Sequence, residues 1–171
     1  MDNQKKKRFY KKNTKKDPNA IRTSSWFITV NSHQNKVGSS NLTETQLKQK
    51  LNQVGLMFKS EKFMRSVLYF ATKEEGHNWD TKVVSFDTDY VLENGNSNRV
   101  GWHLHGLTTI KHRSNVRLQY NLIKRLLEKH FGKSGVYFHA KIVYGQKDNI
   151  KSVKEYMNKA QNPTGGLVVE E

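Results

Sequence analysis

Four short runs rich in β-branched and aromatic residues, at 26–31, 66–73, 101–110 and 136–143, constrain this chain more than any other feature. Each has strand length and is bounded by polar or turn-forming residues. After the first run, Thr43-Glu44-Thr45-Gln46 has the spacing of a helix-opening capping box, and Leu47, Leu51 and Val54 then share one helical face. Val116 to Phe131 reads as a second helix, with Leu118, Leu122, Leu126 and Phe131 inward and Lys124, Arg125 and Lys129 outward. Asn149 to Ala160 reads as the last helix, ended by Asn162-Pro163-Thr164-Gly165-Gly166. Residues 77–100 are rich in Asp, Asn, Gly and Ser, with a turn signal at Asn94-Gly95. They read as an extended loop or hairpin inserted between the second and third strands.

A loop or hairpin between those strands, rather than a helix, predicts an α+β fold with a mostly antiparallel central sheet and helices packed on it. The order β-α-β-β-α-β is ferredoxin-like, as in RNA-binding domains. Scaffolds of this kind host many functions, so function has to be argued from a site. The expected organisation is a flexible basic arm over 1–22, one domain over 23–163, and a tail or linker from 164 to 171.

The net charge of +15 is spread over both parts. Residues 1–25 hold nine Lys/Arg against Asp2 and Asp17, and the remainder is still basic. Such a surface suits a polyanionic partner, nucleic acid first and an anionic membrane well behind it. The run from Lys5 to Lys16 suits either nuclear import or phosphate contact, and equally a solvated tail. No apolar run approaches the roughly 18 residues of a membrane span, and no secretory h-region is evident, so a protein of the cytosol or nucleus is expected. There is no cysteine, which leaves His, Asp and Glu as the only strong metal ligands.

Residues i and i+2 of a strand point the same way, so His103 and His105 present two imidazoles on one face with Leu104 on the other. Two imidazoles and one carboxylate, with positions left open, form a site for Mn²⁺, Mg²⁺ or a related ion. Glu75 can supply the carboxylate if the second and third strands pair. The same spacing is also that of two ordinary strand histidines. On the last helix Tyr156 and Lys159 share a face, and Val153, Met157 and Ala160 form the adjoining apolar one. A tyrosine so placed is ordinarily a packing or rim residue. Gly132-Lys133-Ser134 imitates the end of a P-loop, but Leu127 occupies the upstream glycine position and a helix precedes it.

Order selects among these alternatives. The chain runs Trp26-Phe27-Ile28-Thr29-Val30-Asn31, then Tyr69-Phe70 and Glu74-Glu75-Gly76, then His103-Leu104-His105-Gly106, then Tyr156-Met157-Asn158-Lys159. From 26 to about 161 this resembles the HUH endonuclease domain of rolling-circle replication initiators, closest to those of circovirus-like single-stranded DNA viruses. The stretch from Gly76 to Trp102 is longer than that pattern expects. Two full histidines, in place of His-x-Gln, are closer to parvovirus initiators. The resemblance implies a nickase of single-stranded DNA at an origin, which a stem-loop can carry. Glu75, His103 and His105 would hold Mn²⁺ or Mg²⁺, and Tyr156 would be the nucleophile aided by Lys159. A 5′-phosphotyrosine and a free 3′-OH would result, and reversal would rejoin strands. Asn31, Lys111, Arg113, Lys124, Arg125 and His139 are the expected DNA contacts. It further implies a helicase domain as a companion in a longer protein, and the host nucleus as location if the source is a eukaryotic virus. The alternatives are a non-catalytic single-strand-binding module and a single-tyrosine HUH transposase.

Overall fold

Trp26, Ile28 and Val30 alternate with Phe27, Thr29 and Asn31, so one face of their strand is apolar and the other mixed. This strand, β1 (Arg22–Ser32), lies inside the main sheet of the computed structural model. The structure describes residues 17, 19–32, 42–71, 79–97, 100–132, 136–144 and 147–161. Helices α1 (Glu44–Lys59) and α2 (Glu61–Val67) follow, then β2 (Leu68–Ala71), α3 (Trp79–Lys82), β3 (Val83–Ser97) and β4 (Val100–His112). The described chain closes with β5 (Asn115–Leu118), α4 (Tyr120–Phe131), β6 (Val136–Val143) and α5 (Lys147–Gln161).

The main sheet is antiparallel with order β3-β4-β1-β6. With β3 and β4 as its middle hairpin, the run β1-α1-β3-β4-α4-β6 is the expected ferredoxin-like α+β order. One strand lies elsewhere than its sequence predicts. The run at 66–73 is not a strand of this sheet: Ser66 and Val67 close α2, and Leu68–Ala71 pairs with β5 in a separate two-stranded sheet. Its place is taken by β3, from the polar stretch expected to be an insertion. As an edge strand, β3 turns Phe86, Thr88, Tyr90 and Leu92 to the core side and leaves Asp87 and Asp89 exposed, so its composition looks loop-like. Asn94-Gly95 is not the turn. Asn94 pairs with Trp102, and an irregularity follows before Ser97 meets Val100.

The expected helix from Val116 likewise begins later, at Tyr120, because 115–118 pairs with β2. Its buried positions are Ile123, Leu127 and Phe131, with Leu122 and Leu126 only partly buried beside them. Gly132 ends α4 with φ of 83°, a conformation open to glycine at no steric cost. The opening of α1 is as expected: Thr43 Oγ1 accepts from Gln46 N–H while Gln46 Oε1 accepts from Thr43 N–H. Leu47, Leu51 and Val54 are buried along it, and Gly55 leaves space that the Tyr90 ring fills.

The core lies between α1, α2 and α4 and the face of the sheet carrying Trp26, Ile28, Val30, Leu104, Ile110 and Phe138. Helix α5 packs on the opposite face, where Met157 joins Val91 and Leu107 with Phe27, Val143, Ile150 and Val153 around them. No described helix is long and apolar enough to cross a membrane.

Candidate metal centre

The second face of the sheet carries the candidate ligands, because the odd-numbered residues of β1 and β4, and those of β3 from Ser85 to Glu93, turn to it. Pairing sets Asn31 opposite His103 and Thr29 opposite His105 on one side of β4. On the other side it sets Glu93 opposite His103 and Val91 opposite His105. Facing side chains in such pairs have Cβ atoms about 5 Å apart. Glu93 Oε2 therefore lies 3.4 Å from His103 Nε2 and 3.2 Å from His105 Nε2. One ligand atom from each of the three residues falls within 4.8 Å of the others. Both imidazoles are buried.

The far nitrogens of the two rings are held. His103 Nδ1 is 3.0 Å from the Gly101 carbonyl oxygen, and His105 Nδ1 is 3.2 Å from Thr29 Oγ1. Partners of this kind orient a metal-ligating imidazole and leave Nε2 for the ion. The Phe27 ring lies nearly parallel to His105 at 5.2 Å and fixes its plane from below. The donor set and its outer contacts fit a divalent cation, and Glu93, His103 and His105 can hold one. The expected third ligand, Glu75, lies outside the described residues; Glu93 fills that role in the cluster.

Helix α5 brings Tyr156 to the same point. Met157 is buried against Val91 and Leu107, which leaves Tyr156 on the flank of the helix, 48% exposed. Its hydroxyl is 3.4 Å from Glu93 Oε2 and 3.4 Å from His105 Nε2. Burial, then the neighbouring Glu93 carboxylate, raises the Tyr156 pKa above its usual value. Burial lowers that of His105 to about 4, helped by His103 and opposed by Glu93. At neutral pH this pairs a protonated phenol with an uncharged imidazole.

The other expected site residues are scattered. Lys159 is exposed one turn beyond Tyr156. Asn31 shares the site face, and its buried Oδ1 has no hydrogen-bond partner among the described residues. His139 is exposed on β6, opposite Thr29 and two strands from His105. Lys111 shares the face but lies six residues along β4 from His105, about 20 Å at strand rise. Arg113 lies just past β4, and its N–H bonds the Lys82 carbonyl. Lys124 and Arg125 are not near the cluster: they are exposed on α4, which covers the other face of the sheet.

Sequence reading missed Glu93, Thr29 and Phe27 in these roles. Only the hairpin register of β3 on β4 marks Glu93, and that register was hidden by the false turn at Asn94-Gly95.

No protein-family model matches the chain, and no match was found among curated protein sequences. Among solved structures the chain is similar to the hypothetical protein ORF119 from Sulfolobus islandicus rod-shaped virus 1. The identity is 17% over 81% of this chain and 83% of that one, with a TM-score of 0.36. A likeness of that degree carries no functional argument.

Proposed function

We propose that this chain is a metal-dependent endonuclease that nicks single-stranded DNA through Tyr156, the activity implied by its resemblance to replication initiators. The observation that carries the reading is the meeting of the Tyr156 hydroxyl, from the last helix, with Glu93 and His105 of the metal-ligand cluster. A packing tyrosine has no need of that position, whereas a nucleophile beside a phosphate-binding cation does.

Glu93, His103 and His105 would hold an Mn²⁺ or Mg²⁺ ion, which would supply Lewis-acid neutralisation of charge on the scissile phosphate. The Tyr156 oxygen bonds to phosphorus as the bond from phosphorus to O3′ breaks. The phenol gives up its proton, and the departing O3′ takes one up. The products are a 5′-phosphotyrosine and a free 3′-OH, and the reverse step rejoins strands. Burial, with Glu93 beside it, makes the phenol resist ionisation, so its activation calls for positive charge. Lys159, on the same side of α5, brings such charge. The partner is single-stranded origin DNA, with any helicase domain belonging to a longer protein.

The test is a denaturing gel of wild type and Tyr156→Phe incubated with a pool of single-stranded oligonucleotides and Mn²⁺. The expected result is a slow-migrating protein–DNA adduct that needs Mn²⁺ and is absent from the variant. Tight binding with no adduct from any oligonucleotide would sink the reading. It would instead favour a non-catalytic single-strand-binding module, for which the exposed Tyr137 and His139 of β6 are suited.

A further inference from the structure

Two rings stand on the part of the site face that α5 does not pack against. Tyr137 and His139 lie on the edge strand β6, two residues apart and so on one face. Their planes are within 15° of parallel, with centroids 6.3 Å apart. Tyr137 is 45% exposed and His139 is exposed as well. Neither belongs to the apolar cluster under α5. Register ties the pair to the metal-ligand cluster. One row across the sheet runs Tyr137, Asn31, His103 and Glu93, and the next runs His139, Thr29, His105 and Val91. Each ring is two strands from its histidine, about 10 Å at ordinary strand spacing. That is within the reach of one or two nucleotides from a phosphate at the cluster. Between them lies Asn31, whose buried Oδ1 lacks a hydrogen-bond partner among the described residues. Lys141 follows on the same face of β6 and is exposed.

We infer that Tyr137 and His139 form a stacking shelf for an unpaired nucleobase, next to the phosphate that the cluster receives. The inference rests on the proposed nicking of single strands and names how the strand is gripped. An exposed pair of parallel rings on a strongly basic protein suits a ligand with both a π face and negative charge, which a single strand has and a duplex hides. Asn31 then offers its amide to the edge of the same nucleotide, and Lys141 its ammonium to the following phosphate.

The experiment measures fluorescence anisotropy of a labelled single-stranded DNA oligonucleotide, without metal, against wild type, Tyr137→Ala, Tyr137→Phe and the double variant Tyr137→Ala/His139→Ala. RNA and duplex DNA of the same sequence serve as parallel ligands. Tyr137→Ala is expected to weaken single-strand binding by about tenfold, the double variant further, and Tyr137→Phe little. Mn²⁺ affinity and melting temperature should stay at wild-type values in all of them. Unchanged single-strand affinity in the double variant overturns the shelf, and so does an equal loss for duplex. Weakening by Tyr137→Phe as large as by Tyr137→Ala also overturns it, since the phenyl face remains. Loss on single-stranded RNA as well as DNA supports the shelf, because stacking reads the base and not the sugar. The two proposals fail separately: an absent adduct with a working shelf rejects the nickase, and a normal adduct with an inert Tyr137 rejects the shelf.

Discussion

The two faces of the main sheet use the same strands for opposite purposes. On β4, Leu104 and Ile110 enter the core beneath α1 and α4, while His103 and His105 between and beside them face Glu93 and Tyr156. The first face is filled by aliphatic and aromatic side chains from four helices and strands at once. The second is covered by one helix, whose small apolar cluster of Val91, Leu107 and Met157 leaves polar groups beside it. A strand with period two can thus build a stable core and a face of candidate metal ligands from consecutive residues. Each face then answers to a different measurement, stability for one and ligand binding for the other.

The largest expected effect separates neighbours on one strand. Leu104→Ala should cost about 2–5 kcal/mol in urea denaturation, the range for a buried leucine that leaves a cavity. His103→Ala should cost far less, yet abolish Mn²⁺ binding as read by calorimetry. Comparable destabilisation by both would mean that His103 is a packing residue and that the second face is an extension of the core.

Next comes the choice of carboxylate. Glu93→Gln keeps the shape of the side chain but removes its charge, and should weaken Mn²⁺ binding by at least about tenfold. Glu75→Gln, measured in the same titration, should do less. The reverse order would return the ligand role to Glu75. Thr29→Val is a subtler version: it takes away the oxygen facing His105 Nδ1 while keeping a β-branched strand residue. A loss of roughly tenfold in metal affinity is expected, with melting unchanged. No loss would show that His105 is oriented by Phe27 alone.

The metal-free protein should also report on His105 through pH. Its pKa in the folded chain is about 4, against 6.5 for the free side chain, so the unfolded chain takes up the proton first. Stability is full above about pH 6.5 and declines as pH falls toward 4. Burial lowers the pKa values of His112 and His130 too, so they add to the same slope. Urea midpoints at a series of pH values should fall less steeply in His105→Gln than in wild type. Equal slopes would place the acid sensitivity in the other two histidines.

The smallest effect is expected from Lys124→Ala with Arg125→Ala. These side chains stand on the helical layer behind the sheet, where charges are screened from the cluster. Adduct yield should stay within roughly twofold of wild type. A collapse in yield would mean that the strand wraps to the far side of the molecule.

Much of this was legible beforehand because it depends on local periodicity. The Thr43-Gln46 capping box, the buried Leu47-Leu51-Val54 stripe, the His103-His105 pair and the Tyr156 helix flank are all read from spacing. Readings failed where pairing partners decided the outcome. The run around Tyr69-Phe70 has strand character, but β5 claims it for a small separate sheet. The Asp- and Asn-rich stretch alternates Phe86, Thr88, Tyr90 and Leu92 with Asp87 and Asp89, but its polar composition masks that period, and it forms the long edge of the main sheet.

From the sequence alone came the α+β class, the absence of thiol chemistry, the basic character and two of the three metal-ligand candidates. Each depends on composition or on which face a residue takes in its own element. Tertiary structure alone decided that Glu93 completes the cluster, that Thr29 and Phe27 hold His105, and that Tyr156 meets them across 51 residues of chain. The reason is register: a shift of one residue in β3 would turn Glu93 to the core face, and nothing local to Glu93 specifies that register. It is set by Phe86, Tyr90 and Leu92 packing against the core.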